Sequence, residues 1–253
     1  MSIKSIFIDA RIWRYVLRSL ADYIETIGIL IHPSEGMKIK AMDPTHVMLI
    51  DFHVPVSAFE EYSVERETTL FVNLENASKI LRRASKLDKL MISSDGSKLT
   101  LGFVSKSGAL RSFILPLLSG SHEEVPELSL EFQVQAKILG ATLSSALSVL
   151  EDVGEILKFK VSREGISLIA TSDLGEVEFV FSIMTGTLID YQVSENFSEF
   201  TNIYSMRYIS LLTILAKLSE VATVRLGQDM PCEIELEMLG GARLKLYVAP
   251  RVE

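Results

Sequence analysis

Lys79, Arg82, Arg83 and Lys86 stand at i, i+3, i+4 and i+7, the spacing that gathers side chains on one face of a helix. Four cations in that pattern can hold anions such as phosphates by charge and hydrogen bonding, without reading any base. Arg11, Arg14 and Arg18 fall on the polar side of a second helix candidate. A basic helix face is by default only a solvated surface. Two of them in a chain of formal net charge −8 are a concentration of positive charge, so acids must dominate elsewhere. Other chemistry finds no footing. His32, His46, His53 and His122 lie far apart, with no HExxH or Cys/His spacing for zinc. There is no P-loop, no GxGxxG and no GxSxG elbow. Asp43 and Asp173 each follow a strand at a turn, where aspartate is favoured for local hydrogen bonding, and His46 reads as structural beside the Asp43-Pro44 turn. No catalytic residue, metal ligand or cofactor is therefore assigned.

The elements that must carry these residues follow from periodicity. Asp9–Ile24 reads as a helix with Ile12, Val16, Leu20 and Ile24 inward, and Asn76–Lys86 as another with Ile80, Leu81, Ala84 and Leu87 inward. Strands are expected at 26–31, 37–42, 46–54, 68–74, 89–93, 98–104 and 110–115, with turns at Asp95-Gly96 and Ser107-Gly108. Leu117–Glu131 (LLSGSHEEVPELSLE) has no helical or strand period and reads as a connector. Beyond it, a strand at 130–135 leads to a helix over Ala136–Leu150. Leu139, Leu143, Ala146, Leu147 and Leu150 form its apolar face, with Lys137, Gly140, Ala141, Ser144 and Ser148 on the other. Strands at 156–161, 166–171 and 176–182, a helix over Met206–Leu218, and strands at 222–226, 232–238 and 243–248 complete the chain.

The two halves repeat. Glu35-Gly36-Met37 and Glu164-Gly165-Ile166 are 129 residues apart, Lys86-Leu87 and Lys217-Leu218 are 131 apart, and Leu115-Pro116 and Ala249-Pro250 are 134 apart. Small loop insertions in a duplicated domain produce such a drift. The fold class expected is α+β, two similar domains of antiparallel sheets with two helices each: 1–116, a connector 117–131, and 132–253. Hydrophobic content of 48% with 23% charged residues is that of a soluble globular protein. No apolar run reaches the length of a membrane span, and Lys4, Asp9 and Arg11 interrupt what a signal peptide would need. The lone Cys232 excludes an internal disulfide and fits a reducing interior. Sparse Asn and Gln hint at a hot-growing source.

Ala41-Met42-Asp43-Pro44-Thr45-His46-Val47, Asn73-Leu74 with Ser78-Lys79-Ile80-Leu81, Arg207-Tyr208-Ile209, and Leu246-Tyr247-Val248-Ala249-Pro250 occur in order around the acidic, proline-bearing connector. In this combination the chain resembles the sliding clamp of archaea and eukaryotes, the proliferating cell nuclear antigen family, from about Ile6 to the last residue. The resemblance implies the DNA clamp fold: three chains closing into a ring, helices lining a channel for duplex DNA, and sheets forming the outer wall. It implies no chemistry of the ring's own and no cofactor. The implied role is a processivity factor that binds DNA without sequence preference. A clamp loader opens it, and polymerase, flap nuclease and ligase dock client peptide tails on it. Trimerisation would be with itself or with sister subunits, with no membrane partner. The compartment is cytoplasmic beside the nucleoid in an archaeon, nuclear in a eukaryote.

The implied DNA-facing set is Arg11, Arg14, Arg18, Lys79, Arg82, Arg83, Lys86, Lys137, Arg207 and Lys217. It is lopsided, because Ser144, Ser145 and Ser148, and Ile214 on the last helix, occupy places where relatives often carry cations. The implied partner-binding set is Met42, Val47, Leu49, Val125, Pro126, Leu128, Pro231, Tyr247, Ala249 and Pro250. Val125 and Leu128 are also conspicuous by themselves, as apolar residues in a solvent-facing connector. Glu123 stands where relatives are often apolar, which narrows the set of clients. The implied subunit edges are the strands around 107–117, with Phe113 and Leu115, and around 174–183, with Val177, Phe179 and Phe181. Exposed edges are usually protected unless another chain pairs with them. A second reading stays open at this point: an α+β protein of similar architecture that scaffolds proteins without DNA, or works as a cleft enzyme.

Overall fold

The computed structural model describes residues 2–120, 125, 127–173 and 175–251. The chain divides into two compact units. One is built from 1–44, 50–126 and 238–244, the other from 45–49, 127–237 and 245–253.

The first run of elements is β1 (Ile3–Phe7), α1 (Ala10–Leu20), β2 (Thr26–His32), β3 (Gly36–Met42), β4 (Met48–Val54), β5 (Phe59–Val64), β6 (Thr68–Asn73), α2 (Leu74–Leu81), β7 (Lys89–Ser94), β8 (Lys98–Val104) and β9 (Leu110–Pro116). The second is β10 (Val134–Leu139), α3 (Gly140–Glu151), β11 (Ile156–Val161), β12 (Gly165–Ser172), β13 (Gly175–Ser182), β14 (Asp190–Val193), β15 (Phe200–Ser205), α4 (Met206–Ile209), α5 (Leu212–Leu215), β16 (Ser219–Leu226), β17 (Cys232–Met238) and β18 (Arg243–Val248). In the first run the strand orders are β5-β1-β7-β8-β9 and β4-β3-β2-β6. In the second they are β14-β10-β16-β17-β18 and β13-β12-β11-β15, the same two orders with each strand advanced by nine. Neighbouring strands run antiparallel in every pair whose register is defined.

The duplication reaches individual side chains. Tyr62 donates its hydroxyl to the carbonyls of His32 and Gly36 at 2.8 and 2.9 Å, and Tyr191 does the same for Ser162 and Gly165 at 2.5 and 3.1 Å. Burial pushes both phenols up, Tyr62 to about 12, so each hydroxyl keeps the proton it donates. Gly36 and Gly165 permit the close approach: a Cβ would stand 2.1 Å from the Val54 carbonyl oxygen in one and 2.0 Å from that of Phe181 in the other. Gly36 also has φ +100°, a conformation that favours glycine.

Each helix has a local cause. Asp9 caps α1 by accepting from the Arg11 amide at 2.9 Å, and Asn73 caps α2 by accepting from the Asn76 amide at 3.0 Å. The inner face of α1 buries Ile12, Trp13, Val16, Leu17 and Leu20, and Trp13 meets Phe52 edge-on at 5.5 Å. Fully burying one such aliphatic side chain is worth about 1.5–3 kcal/mol.

Several expected boundaries move. The helix expected over Asn76–Lys86 ends at Leu81, so Leu87 leaves the apolar face and stands 66% exposed. Residues 136–139 are strand, not helix, because Lys137 pairs with Thr223 on β16 and Asp190 on β14. The helix begins only at Gly140, where a Cβ would lie 2.2 Å from the carbonyl oxygens of Ala216 and Ser219, and Leu139 is left exposed. The helix expected over Met206–Leu218 breaks into α4, α5 and a 3₁₀ turn at Ala216–Leu218. There Ser210 donates to the Arg207 carbonyl at 3.2 Å and Thr213 to the Ser210 carbonyl at 2.7 Å, hydroxyls competing for the helix's own acceptors. Strands β1, β5, β14 and β15 were not expected from the periodicity.

Among the described residues no helix is long and apolar enough to cross a membrane. Cys232 is fully buried on β17, and burial pushes its thiol up to about 12. Alkylation at pH 8 should therefore leave the native thiol unmodified and label it rapidly once denaturant unfolds the second unit, a difference mass spectrometry reads directly.

Candidate nucleic-acid interface

Of the seven cations expected to face DNA in the first unit, Arg11, Arg14 and Arg18 lie on α1 and Lys79 on α2, two helices that pack against each other, while Arg82, Arg83 and Lys86 follow the end of α2. Arg14 makes the tie: its guanidinium donates to the Ala84 carbonyl at 3.1 Å, which brings it to the backbone segment between Arg83 and Lys86. Arg18, Lys79, Arg82, Arg83 and Lys86 are exposed, while Arg11 and Arg14 are half-buried. The seven are not equally available. Arg11 grips its own cap, with Nη2 to Asp9 Oδ2 at 2.7 Å and Nε to Oδ1 at 3.0 Å, so much of its charge is compensated. Lys79 pairs with Glu75 one turn earlier at 2.5 Å, and that hydrogen bond and charge hold the Glu75 carboxyl below its usual range. Arg83 stacks over the Phe113 ring at 5.6 Å. Among the described residues, Arg18, Arg82 and Lys86 show no ion pair. Because α2 ends at Leu81, Arg82, Arg83 and Lys86 stand on the turn that follows it and not on a continuous helical face.

The second unit is different. Lys137 is half-buried on β10, in a sheet and not on the helix face expected for it. On α3, Ser145 and Ser148 are exposed, but Ser144 is fully buried and donates to the Thr213 carbonyl at 2.6 Å. The small residue serves packing against α5, which leaves α3 with no cation. Arg207 is exposed and lies over the Tyr208 ring at 5.8 Å. Lys217 is exposed on the 3₁₀ turn near Glu151, whose carboxyl is pushed up by burial and by Asp152 against the opposing charge of Lys217. Residues 1–116 hold 15 Lys and Arg against 13 Asp and Glu, whereas residues 117–253 hold 10 against 20. The positive face belongs to the first unit. The chain's excess of acid is carried by the rest.

The partner-binding residues are shared between the units. In the first, Met42 and Val125 line a cavity of about 210 Å³ together with Lys40, Ala41, Phe71 and Gly120. Gly120 is where the connector crosses Phe71, since a Cβ there would meet the ring at 2.5 Å, and the Leu118 amide donates to the Phe71 carbonyl at 2.9 Å. In the second, the Ala249 amide donates to the Val47 carbonyl at 2.8 Å, and Val47, Pro231, Tyr247, Ala249 and Pro250 are half-buried. Pro250 opens on a depression of about 510 Å³ beside Asn202, Ile203 and Arg251, a feature that no residue pattern announced. Leu128 is 39% exposed. Leu49 is a correction: at 4% exposure it is core and offers a client no surface. Pro126 and Glu123 lie outside the described residues.

Of the expected edge residues, Phe113, Val177 and Phe179 are half-buried. Leu115 and Phe181 are already buried within their own unit, where they face Leu99 and Ile166. They contribute to the unit's core and offer little to a neighbour. Among the described residues no group of three or more His, Cys, Asp or Glu could hold a metal ion.

This fold has close counterparts. The family model described as proliferating cell nuclear antigen, N-terminal domain, matches residues 3–112. The DNA polymerase sliding clamp 3 of Aeropyrum pernix is 34% identical over 248 residues, 98% of this chain and 97% of that relative. The DNA polymerase sliding clamp of Thermofilum pendens is 34% identical over 252 residues, 99% of this chain and all of that relative. Among solved structures, a chain of the PCNA2-PCNA3 complex from Sulfolobus tokodaii superposes with a TM-score of 0.89 at 29% identity, covering all of both chains. These likenesses do not favour the alternative of a non-DNA scaffold or cleft enzyme. The chain belongs to the proliferating cell nuclear antigen family of DNA polymerase sliding clamps.

Proposed function

We propose that three such chains close around duplex DNA and that the ring tethers replication and repair enzymes to it while catalysing nothing itself. The observation that carries this is the placement of charge. Exposed cations gather on the paired helices of the first unit and on the turn that follows α2, in a chain whose sum is −8. A surface of that kind attracts phosphates non-specifically and weakens with salt, which permits sliding. Retention then comes from closure and not from affinity. The division into a domain over 1–116, a connector over 117–131 and a domain over 132–253 belongs to the same proposal. So does opening by a clamp loader.

In this reading Arg14, Arg18, Arg82, Arg83 and Lys86 dominate the DNA-facing set, with Lys79 and Arg11 weakened by their carboxylate partners. Arg207 and Lys217 contribute a smaller share, and Lys137 least. Polymerase, flap nuclease and ligase tails insert an apolar anchor at Met42 and Val125, at Leu128, and along Val47, Tyr247, Ala249 and Pro250, in the manner of a short helix laid in a groove. The experiment is polymerase extension on a primed template with both ends blocked after loading. Stimulation by the wild-type protein supports the reading, and its absence in the presence of a matched loader sinks it. Replacing Tyr247 and Leu128 by Ala should remove at least tenfold of that stimulation, while light scattering shows the same assembled mass.

A further inference from the structure

Burial alternates along β3. Met37 and Ile39 are buried, while Lys38, Lys40 and Met42 stand on the other side of the strand and are half-buried. The two lysines differ in what holds them. Lys38 is paired with Asp51 of β4 at 3.4 Å, whereas Lys40 has no carboxylate partner among the described residues. Lys40 lines the cavity of about 210 Å³ that Met42 and Val125 share. It is the one charged residue among the described residues of that wall, which is otherwise apolar or glycine apart from Thr26. Gly28 of β2 pairs with Phe71 of β6, and a Cβ there would stand 3.1 Å from the Phe71 ring. A larger residue at Gly28 would push into the ring that forms the aromatic part of the wall.

We propose that Lys40 selects clients by charge: the segment that docks here carries a glutamate or aspartate one helical turn from its apolar anchor, and that carboxylate pairs with the Lys40 ammonium. The inference rests on the client-tethering reading above and adds the chemistry of the docking segment. The size of the cavity points to a peptide side chain, since sites for small molecules begin at about 300 Å³. A half-buried lysine beside apolar walls lays its methylenes along them and keeps its ammonium at the water's edge. A carboxylate that meets the ammonium there is partly shielded from water by the anchor it accompanies. Such a pair is stronger than one on open surface.

The charge of the whole chain makes a local selector matter. At a formal net charge of −8 the protein draws in cationic segments at long range whatever their sequence. At the cavity the order reverses. A lysine or arginine placed beside the anchor would stand next to an uncompensated Lys40, and repulsion of that kind separates one partner from another as effectively as attraction does. Lys38 cannot take the same role, because Asp51 already answers its charge.

The test is fluorescence anisotropy with an amphipathic peptide of about twelve residues, acetylated and amidated so that no terminal charge remains. It carries Leu, Leu and Phe at i, i+3 and i+4 and Glu at i+7, and its twins carry Gln or Lys in place of the Glu. The Glu form should bind the wild-type protein about fivefold more tightly than the Gln form at about 0.15 M salt, a ratio that shrinks toward one at about 1 M. Lys40→Met should bring the two forms within about twofold of each other, and Lys40→Glu should reverse the order so that the Lys form binds more tightly than the Glu form. A lysine that only supports the fold produces no such reversal. Equal affinity of the Glu and Gln forms for the wild-type protein, or an unchanged order in Lys40→Glu, overturns the inference. The clamp reading then stands or falls by polymerase stimulation on the blocked template. If no form of the peptide binds, the inference falls, and if stimulation is absent as well, the clamp reading falls with it.

Discussion

Reversing both Arg82 and Arg83 to Glu should cut DNA loading and sliding contact by about thirtyfold at 0.15 M salt, since each phosphate contact is worth about fivefold there. The reason is availability. Both side chains are exposed on the turn after α2, and neither is held by a carboxylate among the described residues, unlike Arg11 on Asp9 or Lys79 on Glu75. The slope of log affinity against log salt should fall by about 2 per subunit. Lys79→Gln is the internal comparison. Its charge is already compensated one turn away, so it should cost far less. Arg83 also stands over Phe113. The mass of the particle should therefore be measured alongside, and Arg82→Glu with Lys86→Glu provides a version that leaves that stacking intact. Fluorescence anisotropy on a duplex across a salt series, with loading counted on a closed circular template, reads both quantities. A double reversal that loads like the wild-type protein across the salt range removes the basic helices from the DNA-facing set.

Ser144→Lys should be among the most damaging single changes to the second unit, although it supplies a cation where relatives often carry one. Ser144 is fully buried and donates to the Thr213 carbonyl at 2.6 Å, so the substitution removes that bond and leaves an ammonium without a partner between α3 and α5. A cost of about 3–5 kcal/mol is expected, seen as a melting temperature lower by about 10 °C or more. Ser144→Ala loses only the hydrogen bond, about 1 kcal/mol. Ser145→Lys and Ser148→Lys, both on the exposed face, should change stability by less than about 0.5 kcal/mol and steepen the salt dependence of DNA contact. Thermal melts of the four variants separate the buried serine from the exposed ones. A Ser144→Lys protein as stable as the wild type would mean that this position is open to solvent.

The serines show where sequence periodicity stops. Ser144 and Ser148 read alike as small polar residues on one helix face, and nothing in the chain says that one of them is fully covered. That depends on α5, which lies about 70 positions away in the chain and reaches Ser144 only through folding. The same holds for Lys137 and Leu139. Their pattern fits a helix, and the pairing of β10 with β14 and β16 overrides it. β1, β5, β14 and β15 leave little periodic signal, because a short strand announces itself weakly apart from its partners.

What the amino-acid sequence determined by itself was the duplication, the turns at glycine, and the grouping of cations on two elements of the first half. Each of these is fixed by contacts within a few residues or by an offset that can be counted along the chain. Only the tertiary structure decided which cations are free and which are neutralised, that Leu49 is core while Met42 and Val125 share a cavity, and that β9 and β13 are edges. Those outcomes turn on distances of a few ångströms between residues far apart in the chain. Side-chain type and spacing cannot supply such distances, because burial and pairing belong to the packed molecule.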